Sequence, residues 1–342
     1  MNFINNLQGL DRRYVFVFIA VAIIIPLAFP FNSATYTTTP VESLYQLIDS
    51  YSPYVRAEDL DGDGQISDAE VEAFKLDRAV FIDFFHDAAT MPELFPMEVA
   101  VMRHCIYRRV PFYTFTILAT AVPLIEEALS VVSEEIEKTG RVIERGKDYI
   151  NIGYKPAALY LPILLGMGDD IAAAVETDAD GNRIENLPMY RETAIRNYTQ
   201  MNLVYETSGS DTGLSWMVYA RPRFGVNVAV GLTAVMAADQ YPYIQSGQCI
   251  GMTAGLKGAA EYEKLVDMFA MNNITFSKGQ LDDPTEKMLA NLDITSDRVP
   301  NKFKMARLGM NAQSVAHILI IVFIILGNIG YFIEKRKQNK NI

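Results

Sequence analysis

The chain has 342 residues, half of them hydrophobic, and a formal net charge of −11. That length supplies one large domain or two ordinary ones, with apolar residues enough for a sizeable core. The acidic balance excludes a nucleic-acid partner, which needs clustered Lys and Arg against phosphate, and two cysteines with three histidines offer little to a thiolate or imidazole metal cage.

Residues 1–13 read as a cytoplasmic amino terminus. Tyr14–Phe31 then runs eighteen residues without a charge, and near the other end Val315–Ile333 runs nineteen with only His317 ionisable. A helix crosses a hydrocarbon core in roughly 20 residues, so 14–31 and 315–333 read as transmembrane helices. The first reads as an uncleaved anchor, because no small-x-small cleavage site follows it. Arg12 and Arg13 precede the first span, and Lys335, Arg336, Lys337 and Lys340 follow the second. By the positive-inside rule both termini are cytoplasmic, with Lys302, Lys304 and Arg307 as the dissenting signal. The intervening domain is then extracytoplasmic, held against the plasma-membrane bilayer by both ends.

Between the spans, residues 32–58 read as a linker and a short helix over Val41–Ser50. An acidic loop fills 59–70. Asp68–His86 has helical character, with Val71, Phe74, Val80, Phe81 and Phe84 as its apolar stripe. Val110–Ile125 is uncharged for sixteen residues and reads as a buried helix, or one lying against the membrane or a neighbouring subunit. A third span there would put the termini on opposite sides, against the charge rule. The amphipathic helix "EEALSVVSEEIEKTG" follows and ends at Gly140. Arg141–Gly168 alternates polar and apolar residues, Ile171–Thr177 is open between helix and strand, Asp178–Pro188 is a turn-rich loop, and Tyr190–Thr207 reads as a helix. Residues 71–224 therefore form a helix-rich region. From 225 to 300 the texture is α/β: "GVNVAVGL" and "QCIGM" have strand patterns, with a short helix between them and the helix "KGAAEYEKLVDMFAM" after, a βαβ unit with parallel pairing. Residues 301–314 are membrane-proximal and 334–342 form a basic cytoplasmic tail. The expected fold is an α/β extracytoplasmic domain, with mixed α+β as the alternative, flanked by two transmembrane helices.

The stretch "DLDGDGQISDAE" carries the densest chemistry. Asp59, Asp61 and Asp63 stand at alternate positions and each offers a hard oxygen. Gly64 follows where a sharp turn needs positive φ. Gln65 would give its backbone carbonyl, Ser67 fits a water-mediated ligand, and Glu70 could clamp an ion with both oxygens. This pattern resembles the EF-hand calcium loop at each diagnostic position. So many carboxylates in one turn repel unless a cation neutralises them, and one Ca²⁺ suits a flexible oxygen cage better than Mg²⁺ does. Pro53 lies where the entering helix of a paired EF-hand should run, and no second loop matches, because Asp178–Asp180–Asn182 lacks the glycine and the glutamate. The loop is thus similar to solitary, dockerin-like extracellular loops, which imply weak affinity and a structural role in a calcium-rich exterior.

"SGQCIGMTAGLKGAAEYEKL" and the terminal span "AHILIIVFIILGNIGYF" resemble an uncharacterised family of prokaryotic membrane-anchored proteins. That resemblance implies a shared α/β fold with an anchor and brings no activity. Gly251, Gly255 and Gly258 open a helix after a strand, where backbone amides could hold a small anionic ligand, but close packing explains them more simply. Cys105 and Cys249 are either one disulfide or two buried thiols. No nucleophile elbow or metalloprotease motif is present, so nothing points to an enzyme. The expected function is a membrane-anchored structural or assembly protein, homo-oligomeric and stabilised by calcium. The alternative is a ligand-binding or sensing module, or an accessory subunit of a membrane enzyme complex.

Overall fold

A strand buried on both faces needs apolar side chains at every position, not at alternate ones, and that condition governs the centre of this protein. The structure, a computed structural model, describes residues 12–31, 36–276 and 304–338. The expected terminus 1–11, part of the linker, 277–303 with Lys302, and the end of the tail with Lys340 lie outside the described residues.

Among the described residues six strands, β1 (Val80–Phe85), β2 (Phe112–Thr116), β3 (Tyr149–Tyr154), β4 (Leu203–Ser208), β5 (Asn227–Leu232) and β6 (Gly251–Ala254), form one sheet. Every pairing is parallel and the order is β3-β2-β1-β4-β5-β6. This is the doubly wound arrangement, in which the winding reverses between β1 and β4. Before the sheet come α1 (Arg12–Ala28), α2 (Thr39–Asp49) and the short α3 (Asp68–Ala73). Within and after it lie α4 (Met91–Tyr107), α5 (Val122–Glu137), α6 (Tyr160–Gly166), an irregular helical segment over 213–224, α7 (Ala237–Gln245), α8 (Gly255–Met268) and α9 (Met305–Gln338).

One core layer joins Val80, Ile82 and Phe84 to α2, α4, α5 and α8. The opposite layer joins Phe81, Phe115 and Val204 to α6 and to Trp216 and Met217. Cys105 belongs to the first layer and Cys249 to the second, both as free buried thiols.

Several expectations are corrected. The helix read over Asp68–His86 ends at Ala73; an irregular stretch leads into β1, whose Val80–Phe84 are buried and Phe85 half-buried. Val110–Ile125 is not one helix but the inner strand β2, buried throughout, leading into the start of α5. The helix read over Tyr190–Thr207 is a single turn, Pro188–Glu192, followed by turns and then β4. The α/β unit therefore begins at Val80, not at 225, and four of its six strands lie in the stretch read as helix-rich. The parallel pairing of β5 and β6 is as read.

Gly251 abuts Pro40 and Leu44 of α2, and Gly258 abuts the backbone of Thr253, so both glycines serve close approach of helix to strand. Met305–Ile333 is long and apolar enough to cross a membrane, whereas α1, at 17 residues, is shorter. The two pack antiparallel: Phe18 meets Phe323 with ring centroids 6.1 Å apart, and the Asn311 side chain donates to the Phe31 carbonyl. The first turns of α9 lie on α8, where the Glu263 carboxylate accepts from the backbone N–H of Ala306 at 2.9 Å and of Arg307 at 3.2 Å. These are N–H groups that no helical carbonyl can reach. Arg307, a dissenting charge by the membrane rule, is buried and ion-paired with Glu263 and Asp267.

Candidate functional site

In open α/β sheets, ligands bind outside the carboxyl ends of the strands where the winding reverses. Here that point lies between β1 and β4. Asp83 and Glu206 stand directly across from each other in the parallel register, so their side chains leave the same face of adjacent strands. Both are wholly buried. The Trp216 indole N–H donates to Asp83 Oδ2 at 3.0 Å and the Tyr160 hydroxyl at 3.4 Å. The other Asp83 oxygen makes no hydrogen bond, and neither Glu206 oxygen has a partner at bonding geometry, the Thr212 hydroxyl lying only near enough to favour the charged form. Burial, against the pull of the Trp216 and Tyr160 donors, lifts the Asp83 carboxyl to about 7. Burial and then the neighbouring Asp83 charge hold the Glu206 carboxyl far above its ordinary range, with the Thr212 hydroxyl partly offsetting them. Two carboxylates this close in a dry site do not both ionise, so the pair retains a proton at neutral pH.

Its cover is the segment after β4. Gly213 sits against Glu206, where an added Cβ would come within 2.9 Å of Oε2. Beyond it Trp216–Ala220 is wound as a π-helix, a rare geometry frequent at functional sites. At the strand ends Ser208, Ser210 and Thr212 join hydroxyls, with Ser208 to Ser210 at 2.9 Å and Ser210 to Thr212 at 2.7 Å.

The other face of the same two strands carries a second polar set. His86 Nε2 lies 2.8 Å from Glu98 Oε1, and the Thr207 hydroxyl donates to that same oxygen. Burial alone would lower the His86 pKa, but the Glu98 carboxylate outweighs it and the net shift is upward. Burial raises Glu98, with His86 pulling against it.

The acidic loop lies apart from this buried pair. Asp59, Asp61 and Asp63 are exposed and bring one oxygen each within 4.8 Å of the others. Asp59 accepts from Gly62 N–H at 2.7 Å and from Gly64 N–H at 2.8 Å, with Gly64 at φ +82°. Glu70 is not part of this cluster. It closes a capping box at the start of α3, accepting from Ser67 N–H at 2.7 Å and the Ser67 hydroxyl at 2.8 Å, and from Leu60 N–H. Those donors, Ser67 first, hold its carboxyl below the usual range. Gln65 turns back by its N–H to Asp63 Oδ1 at 2.7 Å. The structure thus gathers three of the six sequence-read ligands and sets Gln65, Ser67 and Glu70 to shaping the loop. The start of α3 is tied to the rest of the domain through Asp68, which accepts from the Tyr54 hydroxyl at 2.7 Å and from Arg109 at 3.3 Å.

Two cavities of about 570 Å³ lie elsewhere. One opens at the amino edge among Glu72, Arg109, Arg141 and Asp148, and one beside the carboxyl end of β3 among Lys155, Pro162 and Asp170.

Sequence reasoning passed over Asp83, Glu206, His86, Glu98 and Trp216. The available signal was an acid inside each apolar run, "VFIDFF" and "LVYETS", which matters only once those runs are strands. Set against known proteins, the chain matches no family model, no curated protein and no solved structure. The family resemblance of its last third therefore rests on the residues that carry it.

Proposed function

We propose that this protein is a membrane-anchored ligand-binding module. Its α/β domain would take a small cationic or hydrogen-bond-donating ligand at the β1/β4 crevice. The observation that carries the reading is the in-register pair Asp83 and Glu206, buried at the winding reversal with three oxygens lacking a hydrogen bond. Such oxygens are costly to bury without a partner, and a ligand cation or amine supplies one. Two features that favoured an assembly role, the apolar stretch 110–125 and the glycines of 251–258, are used inside the domain. That removes their support for a homo-oligomeric scaffold.

The anchor is α9, joined by α1 as a second span. The antiparallel pairing of the two supports a hairpin with both termini on one side, and the basic flanks make that side cytoplasmic. One Ca²⁺ at Asp59, Asp61 and Asp63 is part of the proposal, supported by the spacing and by the convergence of the three carboxylates. An exterior location supplies enough calcium for a weak site of this kind.

The test is thermal unfolding of the detergent-solubilised chain against a panel of divalent cations, small amines and polyols. The reading requires a stabilising compound whose effect vanishes in Glu206→Gln and survives in Asp59→Ala. A panel whose every effect is indifferent to Glu206→Gln and Asp83→Asn overturns it.

A further inference from the structure

The apolar helices leave the domain in a definite direction. Helix α8 starts at the carboxyl edge of the sheet, where Gly255 abuts Ala234 of the loop after β5, and runs back toward the amino edge as a crossover helix does. Helix α9 runs the other way along it. Its first residues meet Glu263 and Asp267, two residues later Gly309 lies against Leu256 at the start of α8, and Asn311 meets Phe31 beyond. The exposed apolar length of α9, and α1 antiparallel to it, therefore project from the carboxyl edge of the sheet.

That edge carries an apolar rim. Val235, next to Ala234 and so beside the exit of α9, is 83% exposed. Tyr241 follows on α7. At the far side of the sheet, Tyr154 ends β3, and the apolar helical stretch Ala157–Gly166 exposes Leu159 and Leu161. Four strand spacings of about 4.8 Å separate β3 from β5 and set these two groups roughly 19 Å from each other, so the rim reaches across most of the sheet. Its exposed charges are Asp87, Asp211 and Asp239 together with Lys257 at the start of α8, which is paired with Glu261; the acidic balance disfavours an anionic surface.

We propose that this rim rests on a bilayer of zwitterionic lipid, with Val235 and Leu161 dipping into the headgroup region and the β1/β4 crevice facing the membrane. Interfacial burial of apolar side chains beside a spanning helix holds the domain upright on its anchor. The proposal rests on the reading of α9 as a span, and it assigns the same membrane-facing entrance to the crevice ligand.

The experiment uses the full chain in phosphatidylcholine proteoliposomes with one nitroxide per variant: Val235→Cys, Leu161→Cys, Ile325→Cys on α9, and Val142→Cys at the amino edge. Cys105 and Cys249 are buried and stay unlabelled. Accessibility to oxygen and to a water-soluble nickel chelate is read by power saturation. Labels at 235 and 161 are expected to be protected from nickel severalfold relative to 142, with 325 the most lipid-like. Labels at 235 and 161 as nickel-accessible as 142, with 325 in lipid, overturn the rim contact alone. A nickel-accessible label at 325 overturns the anchor and the rim with it. Spin–spin broadening at 235 that survives dilution with lipid assigns the rim to a second copy instead.

Discussion

Asp83→Asn separates the charge of the buried pair from its hydrogen bonds. Burial lifts the Asp83 carboxyl from an ordinary 3.8 to about 7, so the folded protein holds this proton more tightly than the unfolded chain. The sign follows from linkage. The stabilisation is whole below about pH 4, declines as pH rises, and is gone above about pH 7. Three units at 1.36 kcal/mol each make the decline about 4 kcal/mol in order of magnitude. Spread over some 300 folded residues, at an unfolding entropy near 2.1 cal/mol/K per residue, that corresponds to about 6 °C of melting temperature. Asparagine keeps an acceptor for Trp216 and Tyr160 and cannot ionise. The variant should therefore melt within about 1 °C of wild type near pH 4 and about 6 °C above it at pH 8. Taking the difference between the two proteins cancels the titrating groups remote from the pair, and Glu206, coupled to Asp83, is kept protonated by burial in both. Trp216 is the single tryptophan of the chain and donates to this carboxyl, so its fluorescence reports both unfolding and the ionisation. Melting curves that stay parallel from pH 4 to pH 8 refute the reasoning.

Two further outcomes are expected. At a dissociation constant near 10⁻⁴ to 10⁻³ M, 5 mM calcium stabilises the folded chain by about 1–2 kcal/mol. Scanning calorimetry with and without chelator should show this for wild type and not for the Asp59→Ala, Asp61→Ala double variant, and an unchanged wild-type melt excludes a working site. Arg307→Ala strips the guanidinium from Glu263 and Asp267 and should cost about 3–5 kcal/mol in denaturant unfolding at pH 8. Burial already holds Glu263 at about 7 against the pull of Arg307. Protonation at pH 5 should therefore recover part of the loss, and an equal loss at both pH values argues that packing alone is at stake.

The valine-rich β5 was legible because its short apolar run sits between turn signals and is followed by a helical period. β1 and β4 were not. Val71, Phe74, Val80, Phe81 and Phe84 fall at spacings that a helix also satisfies, and a strand covered on both faces has no alternation to betray it. β2 failed for the same reason, since sixteen uncharged residues look alike as a buried helix or as a strand and the start of its crossover. The candidate crevice depended on those strands. Asp83 and Glu206 are 123 positions apart in the chain, and only the parallel register of β1 with β4 makes them neighbours. The acidic loop needed no such context, because its residues lie within twelve consecutive positions.

Helix α9 has a mechanical consequence. It runs 34 residues without a break, about 51 Å at 1.5 Å per residue, and its first turns are locked to α8 by Glu263, Asp267 and Arg307. That packing couples the sheet directly to the apolar end of the helix. In the proposed membrane setting, a tilt forced on the outer part by a thinner or thicker bilayer would be a tilt of the whole sheet, carried as a lever carries it. Lipid thickness would then set the domain's attitude as well as its own loops.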